Sequence, residues 1–439
     1  MARTRWLKLL LLIALGALLE QEAGAQQARQ RSRAAQVQKS QTQKQVRPPL
    51  APSRDATPEK PTERLSAPAD AEISRVTGIR FLSSKSYTRV MLDLSRAVRY
   101  ETRRLKEDAA KGLPPRVYVD VFGAQLALAS KEPLPVEDGL LRQVRVGQFS
   151  QDVVRVVLDM TSVREYNAFL LPEPSRLVID IHGQTGDDAV AARTQGKNAP
   201  GPAKQKKTAP AGIRKIVLDP GHGGKDPGAI GVGGIAEKDI VLRVAKRLAA
   251  KLKKEMGLEV VLTRNDDRYI SLEDRTAIAN AEEADLFISL HMNASPNGDA
   301  RGLETYYLDN TNDEAAIRLA ARENGTTRQN ISDLQFILSD MTQNVKLEDS
   351  ITLAHRLQSA LVDGVSKKIS DFKDLGVKKA LFYVLVGARM PSVLVELFFI
   401  TNKTEARAMS QESYQESVVN ALFEGIQKYA QSAVALKTL

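Results

Sequence analysis

The sequence predicts two folded units of different class, a small all-β sandwich or barrel followed by an α/β domain. Between residues 73 and 182, short apolar strands alternate with polar and Pro/Gly punctuation, without a convincing helix. From about residue 213 strands alternate with amphipathic helices, which argues for an α/β sheet covered on both faces. A stretch rich in Gly, Ala, Lys, Pro and Gln, residues 185–212, separates the two patterns as a linker. The chain has 439 residues, 43% of them hydrophobic and 26% charged, which is length and apolar content enough for more than one core.

In chain order, Arg3, Arg5 and Lys8 precede the apolar run Leu9 to Leu19, and Ala23-Gly24-Ala25 supplies the small residues of a cleavage site. Residues 1–25 are therefore expected to be a secretory signal peptide. The run is too short to span a bilayer comfortably, and no transmembrane segment is expected after cleavage. Residues 26–71 are polar, basic and aperiodic, a disordered linker. The net charge of +10 points to an acidic partner: nucleic acid, a membrane surface or an anionic cell-wall polymer. Nucleic acid ranks last, because no binding motif is present and aromatics make up only 5% of the chain. With no cysteine, any metal must be held by His and carboxylates.

Residues 72–184 form the β unit. Arg89 to Leu94, Arg116 to Val121, Val153 to Asp159 and Arg176 to Ile181 read as strands. The phrase arginine, apolar strand, aspartate recurs four times, which hints at an internal duplication. In pattern and order this segment resembles the AMIN domain, a module implicated in attachment to the cell wall. His182, at the end of the last strand, reads as structural.

The α/β unit, residues 213–435, opens on the apolar run Lys215 to Leu218 and the loop Asp219 to Ala229, DPGHGGKDPGA. Its glycines and prolines make a rigid turn at the carboxyl end of a strand, where open α/β sheets place their sites. It carries His222, and neutral imidazole is the commonest metal ligand. A helix follows over Glu237 to Glu255, then a strand at Val260 to Arg264 and a helix at Leu272 to Ala284. Strands are expected at Asp285 to His291, Leu303 to Leu308, Val377 to Leu385 and Val393 to Ile400, and a terminal helix through Tyr429.

Four residues stand out chemically. His222 sits in the loop, Glu237 opens a helix, and His291 ends a strand at the sheet's carboxyl edge. Glu396 lies in the otherwise apolar Val393 to Ile400, where a carboxylate is expensive unless paired or functional. Two histidines and one glutamate with a position left for water form an established catalytic zinc set, and a second glutamate can move the water's proton. The same set serves peptidases and deacetylases, and a non-catalytic wall-binding protein is the third reading. A binder has no need of Glu396.

DPGHGGKDPGA, Glu237 at a helix start, SLHMNAS (Ser289 to Ser295) and PSVLVELFFITN (Pro391 to Asn402), in that order, resemble the zinc-dependent N-acetylmuramoyl-L-alanine amidases. The resemblance implies a twisted mixed sheet flanked by helices, and one zinc ion on His222, Glu237 and His291. It makes Glu396 the catalytic acid/base and peptidoglycan the substrate, cut between N-acetylmuramic acid and L-alanine. Family members commonly carry glycine where this chain has Phe398. Arg275 fits a family pattern, and its structural role ranks ahead of substrate orientation. Asn293 is expected to fix the loop after His291.

Residues 309–350 exceed what the sheet needs. Asp313 to Gly325 reads as an amphipathic helix, and Leu334 to Met341 as an apolar, partly unpaired segment. Ile351 to Val365 returns to the core as a helix. By resemblance to the periplasmic cell-division amidases of Gram-negative envelopes, such an insertion occludes the zinc site with a glutamate until a LytM-type activator withdraws it. Glu323 is the candidate and Glu314 the runner-up.

Overall fold

The computed structural model describes residues 73–183, 212–331 and 346–437, apart from the single residues 109, 111, 162, 164 and 370. The expected leader, both linkers and the apolar segment Leu334 to Met341 lie outside the described residues. Among the described residues no helix is long and apolar enough to cross a membrane.

The β unit is two five-stranded sheets. One holds β1 (Ser74–Ser83), β2 (Tyr87–Leu94), β5 (Ala124–Leu126), β9 (Glu165–Pro172) and β10 (Ser175–His182), in the order β5-β1-β2-β10-β9. The other holds β3 (Arg99–Leu105), β4 (Arg116–Phe122), β6 (Leu134–Pro135), β7 (Leu141–Ser150) and β8 (Val153–Met160), in the order β3-β4-β8-β7-β6. Valines 117, 119 and 121 of β4 alternate inward and meet Val90, Leu92, Leu177 and Ile179 of the facing sheet in one core.

The fourfold arginine–aspartate phrase gains a structural reason here. It lies on the four central strands, and antiparallel register sets Arg89 opposite Asp180, Arg176 opposite Asp93, Arg155 opposite Asp120 and Arg116 opposite Asp159. The first three are salt bridges, at 2.7, 2.9 and 2.6 Å. Each sheet centre is thus cross-linked by the same pair of phrases running in opposite directions.

The α/β unit has one six-stranded mixed sheet. Its strands are β11 (Lys215–Pro220), β12 (Glu259–Leu262), β13 (Leu286–Asn293), β14 (Leu303–Leu308), β15 (Asp374–Ala380) and β16 (Ser392–Phe399), in the order β12-β11-β13-β16-β14-β15. All neighbours are parallel except β14 and β16. Among the described residues six helices accompany them: α1 (Glu237–Met256), α2 (Leu272–Ala281), α3 (Glu314–Glu323), α4 (Leu347–Val365), α5 (Lys403–Met409) and α6 (Glu412–Lys437). Ile240, Val244 and Leu248 of α1, Leu353 and Leu357 of α4, and Val418 and Leu422 of α6 cover one face, against Ile216, Leu218, Ile288 and Val395. The alternate residues Val217, Phe287 and Leu394 face the other side.

That second face is covered by α2, α3 and the β unit itself. Met91, Phe169, Leu171 and Val178 join Ala279, Phe287, Val384 and Met390 in one buried cluster. Arg89, fully buried, spans the junction. Its Nε and Nη2 donate to Asp180 at 2.7 Å each, and its Nη1 donates to the Glu273 carbonyl at 2.6 Å and to Thr276 Oγ1 at 3.0 Å. The Glu273 carboxylate accepts from Arg80 and Arg176. A buried arginine must be fully paired to be tolerated, and here both units contribute its partners. His182 is buried at the end of β10, where burial, with Arg389 nearby, lowers its pKa to about 4. It stays neutral, as a structural histidine.

Several elements end earlier than expected, with the widest gaps in a strand and a helix. The strand read as Val377 to Leu385 stops at Ala380, and Tyr383–Leu385 is a 3-10 turn, because an unbroken apolar run does not reveal its own period. The helix expected to reach Ala284 stops at Ala281, and Glu283 takes φ 51°. Phe398 also adopts a left-handed backbone, with φ 71°, a conformation that favours glycine. Its ring is buried beside Tyr414 and Phe372, at 5.6 and 6.4 Å between centroids. Aromatic burial offsets the backbone strain, by about 3 kcal/mol against roughly 1.

Candidate metal centre

Strand alternation and register build the site. In β13, His291 shares the parity of Phe287 and Ser289, and the β13–β16 register sets it beside Glu396 at the carboxyl ends of both strands. The loop after β11 brings His222 over them. Three features hold it. His222 itself has φ 60°. A Cβ on Gly221 would lie 2.5 Å from the His291 ring, and one on Gly228 2.6 Å from His222 Cδ2 and 2.7 Å from Glu237 Oε2. Only glycine allows the loop to close this far.

Buried arginines pin the loop's carbonyls. Arg264 donates to those of Pro220, Gly221 and Lys238 at 2.9, 2.7 and 2.9 Å. Arg275, from α2, donates to the carbonyls of Pro220 and His222 at 2.9 and 2.8 Å and to Asp219 at 2.8 Å. Asp219 also accepts from Thr263 and Ser289, at 2.5 and 2.7 Å. Burial opposes its charge, but Arg275 and the two hydroxyls prevail and its pKa is lowered. Arg275 therefore braces protein groups.

Four ligand atoms converge. Glu237 Oε1 lies 3.1 Å from both His222 Nε2 and His291 Nδ1. Glu323 Oε2, from the end of α3, lies 3.2 and 3.1 Å from the same nitrogens. A tetrahedral ion with bonds of about 2.0 Å spaces its ligands about 3.3 Å apart, so the set fits one. His222 Nε2, His291 Nδ1 and Glu323 Oε2 are buried without a hydrogen-bond partner, which such an ion would satisfy. Two of the ligands, His222 and Glu237, are aimed from behind. Asp226 Oδ2 sits 2.9 Å from His222 Nδ1, and Glu237 accepts from the amides of Met292 and Ala229 at 2.8 and 2.9 Å. The site also favours positive charge. Burial disfavours a charged imidazole, yet Glu237 and Asp226 push the His222 pKa up to about 12.

Glu396 is fully buried beside this cluster, and both its oxygens lack partners. Burial, reinforced by the Glu323 charge, raises its pKa well above the carboxylate range. All four residues singled out in the sequence are therefore brought together. Of the two insertion candidates, Glu323 reaches the cluster. Glu314 does not: it is exposed at the start of α3 and pairs with Arg328 and Arg318 at 3.2 and 3.9 Å.

Several groups escaped the sequence reading. Asp226 is one. Glu304 is another, buried in β14 opposite Glu396, where it accepts from Asn293 Nδ2 at 2.5 Å and Lys378 Nζ at 2.6 Å. Its signal was present, a lone carboxylate in the strand LETYYL, the same clue that exposed Glu396. Arg322, beside Glu323, donates to the Ala294 carbonyl at 3.0 Å and reaches Asn293 Oδ1 at 3.4 Å.

Comparison with known proteins gives two family matches: N-acetylmuramoyl-L-alanine amidase over residues 216–428 and the AMIN domain over 78–169. The chain is similar to the N-acetylmuramoyl-L-alanine amidase AmiC of Neisseria meningitidis serogroup B, 31% identical over 391 residues, covering 82% of this chain and 90% of that one. It is 30% identical over 387 residues to AmiC of Escherichia coli O6:H1, with the same coverages of 82% and 90%. AmiA of Escherichia coli K12 is 34% identical over 244 residues, 53% of this chain and 82% of that one.

Proposed function

We propose that this chain, which belongs to the N-acetylmuramoyl-L-alanine amidase family, works as a zinc enzyme of the periplasm that splits septal wall and is held inactive by its own Glu323. Membership supplies the reaction, hydrolysis of the amide between N-acetylmuramic acid and L-alanine in peptidoglycan. One observation carries the proposal. His222 Nε2, His291 Nδ1 and Glu237 Oε1 converge beside a buried carboxyl, Glu396, that has no structural partner.

His222, Glu237 and His291 would hold the zinc, and bound there it would bring its water's pKa toward neutrality and polarise the amide carbonyl. Glu396 takes a proton from the attacking water. The water oxygen bonds to the carbonyl carbon, and Glu396 returns the proton to the nitrogen as the C–N bond breaks. The water's second proton, left on the new carboxyl, passes to the amine as well, so the products are a lactyl carboxylate and an ammonium on L-alanine. Glu237 has both oxygens engaged by its ligand position and backbone amides, which leaves Glu396 as the proton carrier. An isolated peptidase or deacetylase function loses its support once the family and the β unit are taken together.

With zinc on His222, Glu237 and His291, Glu323 Oε2 would stand where the water belongs, and the resting chain would exclude its own nucleophile. A LytM-type activator that draws α3 away would open the site, and the leader would route the chain to the periplasm. Digestion of purified peptidoglycan should release free stem peptides and peptide-free glycan, and a zinc chelator should stop it. Glu323→Ala should raise the basal rate by about tenfold or more, since each tenfold corresponds to only about 1.4 kcal/mol of occupancy. A folded, zinc-loaded Glu323→Ala enzyme no faster than the wild type would sink the brake.

A further inference from the structure

The product of this reaction is a carboxylate next to an ammonium, and the resting site holds a carboxylate next to a guanidinium. Glu323 would take the fourth position of a zinc held by His222, Glu237 and His291, and Arg322 Nε donates to Glu323 Oε1 at 2.8 Å. From there the guanidinium reaches the Ala294 carbonyl at 3.0 Å and Asn293 Oδ1 at 3.4 Å. We propose that Asn293 Oδ1 and the Ala294 carbonyl form the subsite for the amino group released from L-alanine. Arg322 fills it in the resting chain, so that Arg322 and Glu323 together imitate the two products.

The polarity of the subsite is built in. An asparagine amide offers a donor end and an acceptor end, and its neighbours decide which faces the cleft. Here Glu304, buried and acceptor-only when ionised, takes the Nδ2 end at 2.5 Å and is itself paired with Lys378 at 2.6 Å. Oδ1 is thereby turned toward the site, where the Ala294 amide donates to it at 2.8 Å. Two acceptors beside Glu396 suit an ammonium, which is a donor only, and repel the carboxylates of the acidic stem peptide. Asn293 thus binds the leaving group, and Glu304 and Lys378 are positioning residues that act through it.

This reading rests on Glu323 occupying the metal position, and the experiment separates the two. The probe is the dipeptide L-alanyl-γ-D-glutamate, titrated calorimetrically into the full chain carrying Arg322→Ala and Glu323→Ala, with and without zinc. The N-acetylated dipeptide, which lacks the ammonium, is the control. The free amine should bind at least tenfold more tightly than the acetylated form. Adding Asn293→Ala should remove that preference, and adding Asn293→Asp, which keeps an acceptor, should retain it. Glu304→Gln should weaken it, because a glutamine can donate to Asn293 and release its orientation. Equal binding of the two dipeptides in the double variant overturns the subsite, as does an amine preference that survives Asn293→Ala. The brake has its own readout, the basal rate of Glu323→Ala, and can fail while the amine preference stands. Folding and zinc content of the Asn293→Asp chain keep the comparison valid if Asn293→Ala does not fold.

Discussion

Glu396→Gln lowers kcat on purified peptidoglycan by about a thousandfold, the scale at which a positioned proton carrier contributes. The variant keeps its zinc and its melting temperature. Both expectations come from the same fact, that the Glu396 oxygens are buried without partners. No fold contact is lost when one becomes an amide, and a costly buried carboxyl is replaced by a neutral group of the same shape. The checks are zinc content by mass spectrometry, a thermal melt, and release of labelled fragments from sacculi, compared in the Glu323→Ala background so that the brake does not mask the loss. Retention of more than a tenth of the rate would place the proton transfer elsewhere.

Gly228→Ala has an effect of similar size for a different reason. Its new methyl would sit 2.6 Å from His222 Cδ2 and 2.7 Å from Glu237 Oε2, at a position with φ 66°. Two of the three proposed metal ligands must then move, and zinc affinity should fall by about 100-fold or more, beyond the usual loss from disturbing a ligand's support. Gly234 is the matched control. Its φ is 77° and nothing lies within 4 Å of its Cβ position, so Gly234→Ala carries the backbone strain of about 1 kcal/mol without the crowding. Competition with a fluorescent chelator measures both. Equal zinc affinity in the two variants would show that the loop's closeness is not what holds the site.

The chemistry of this chain was legible where a residue contradicted its surroundings. Glu396 stood out in an apolar strand, and His222 among glycines that no regular element tolerates. Glu304 contradicted its strand just as plainly, but its importance depends on the β14–β16 pairing, which local sequence does not reveal. Asp226 was hidden inside a motif already explained by its neighbours. Glu323 could be nominated only by resemblance, since nothing in the pattern of α3 distinguishes it from Glu314 except the direction in which the helix ends. The fourfold arginine–aspartate phrase was visible as repetition, while its cause, cross-strand pairing at the centre of each sheet, needed the register. The junction of the two units was not legible. Arg89 donates to a carbonyl 184 positions along the chain, and no local period reports such a contact.

That junction governs reach. A hydrolase tethered to its anchoring module by a slack chain sweeps a volume and cuts whatever bond drifts in. Here Arg89 is bonded to Asp180 on one side and to α2 on the other, and α2 carries Arg275, which holds the His222 carbonyl. Module and cleft turn together like the jaws of a fixed-gauge tool. Any surface that grips the β unit would therefore also set the bearing of the cleft.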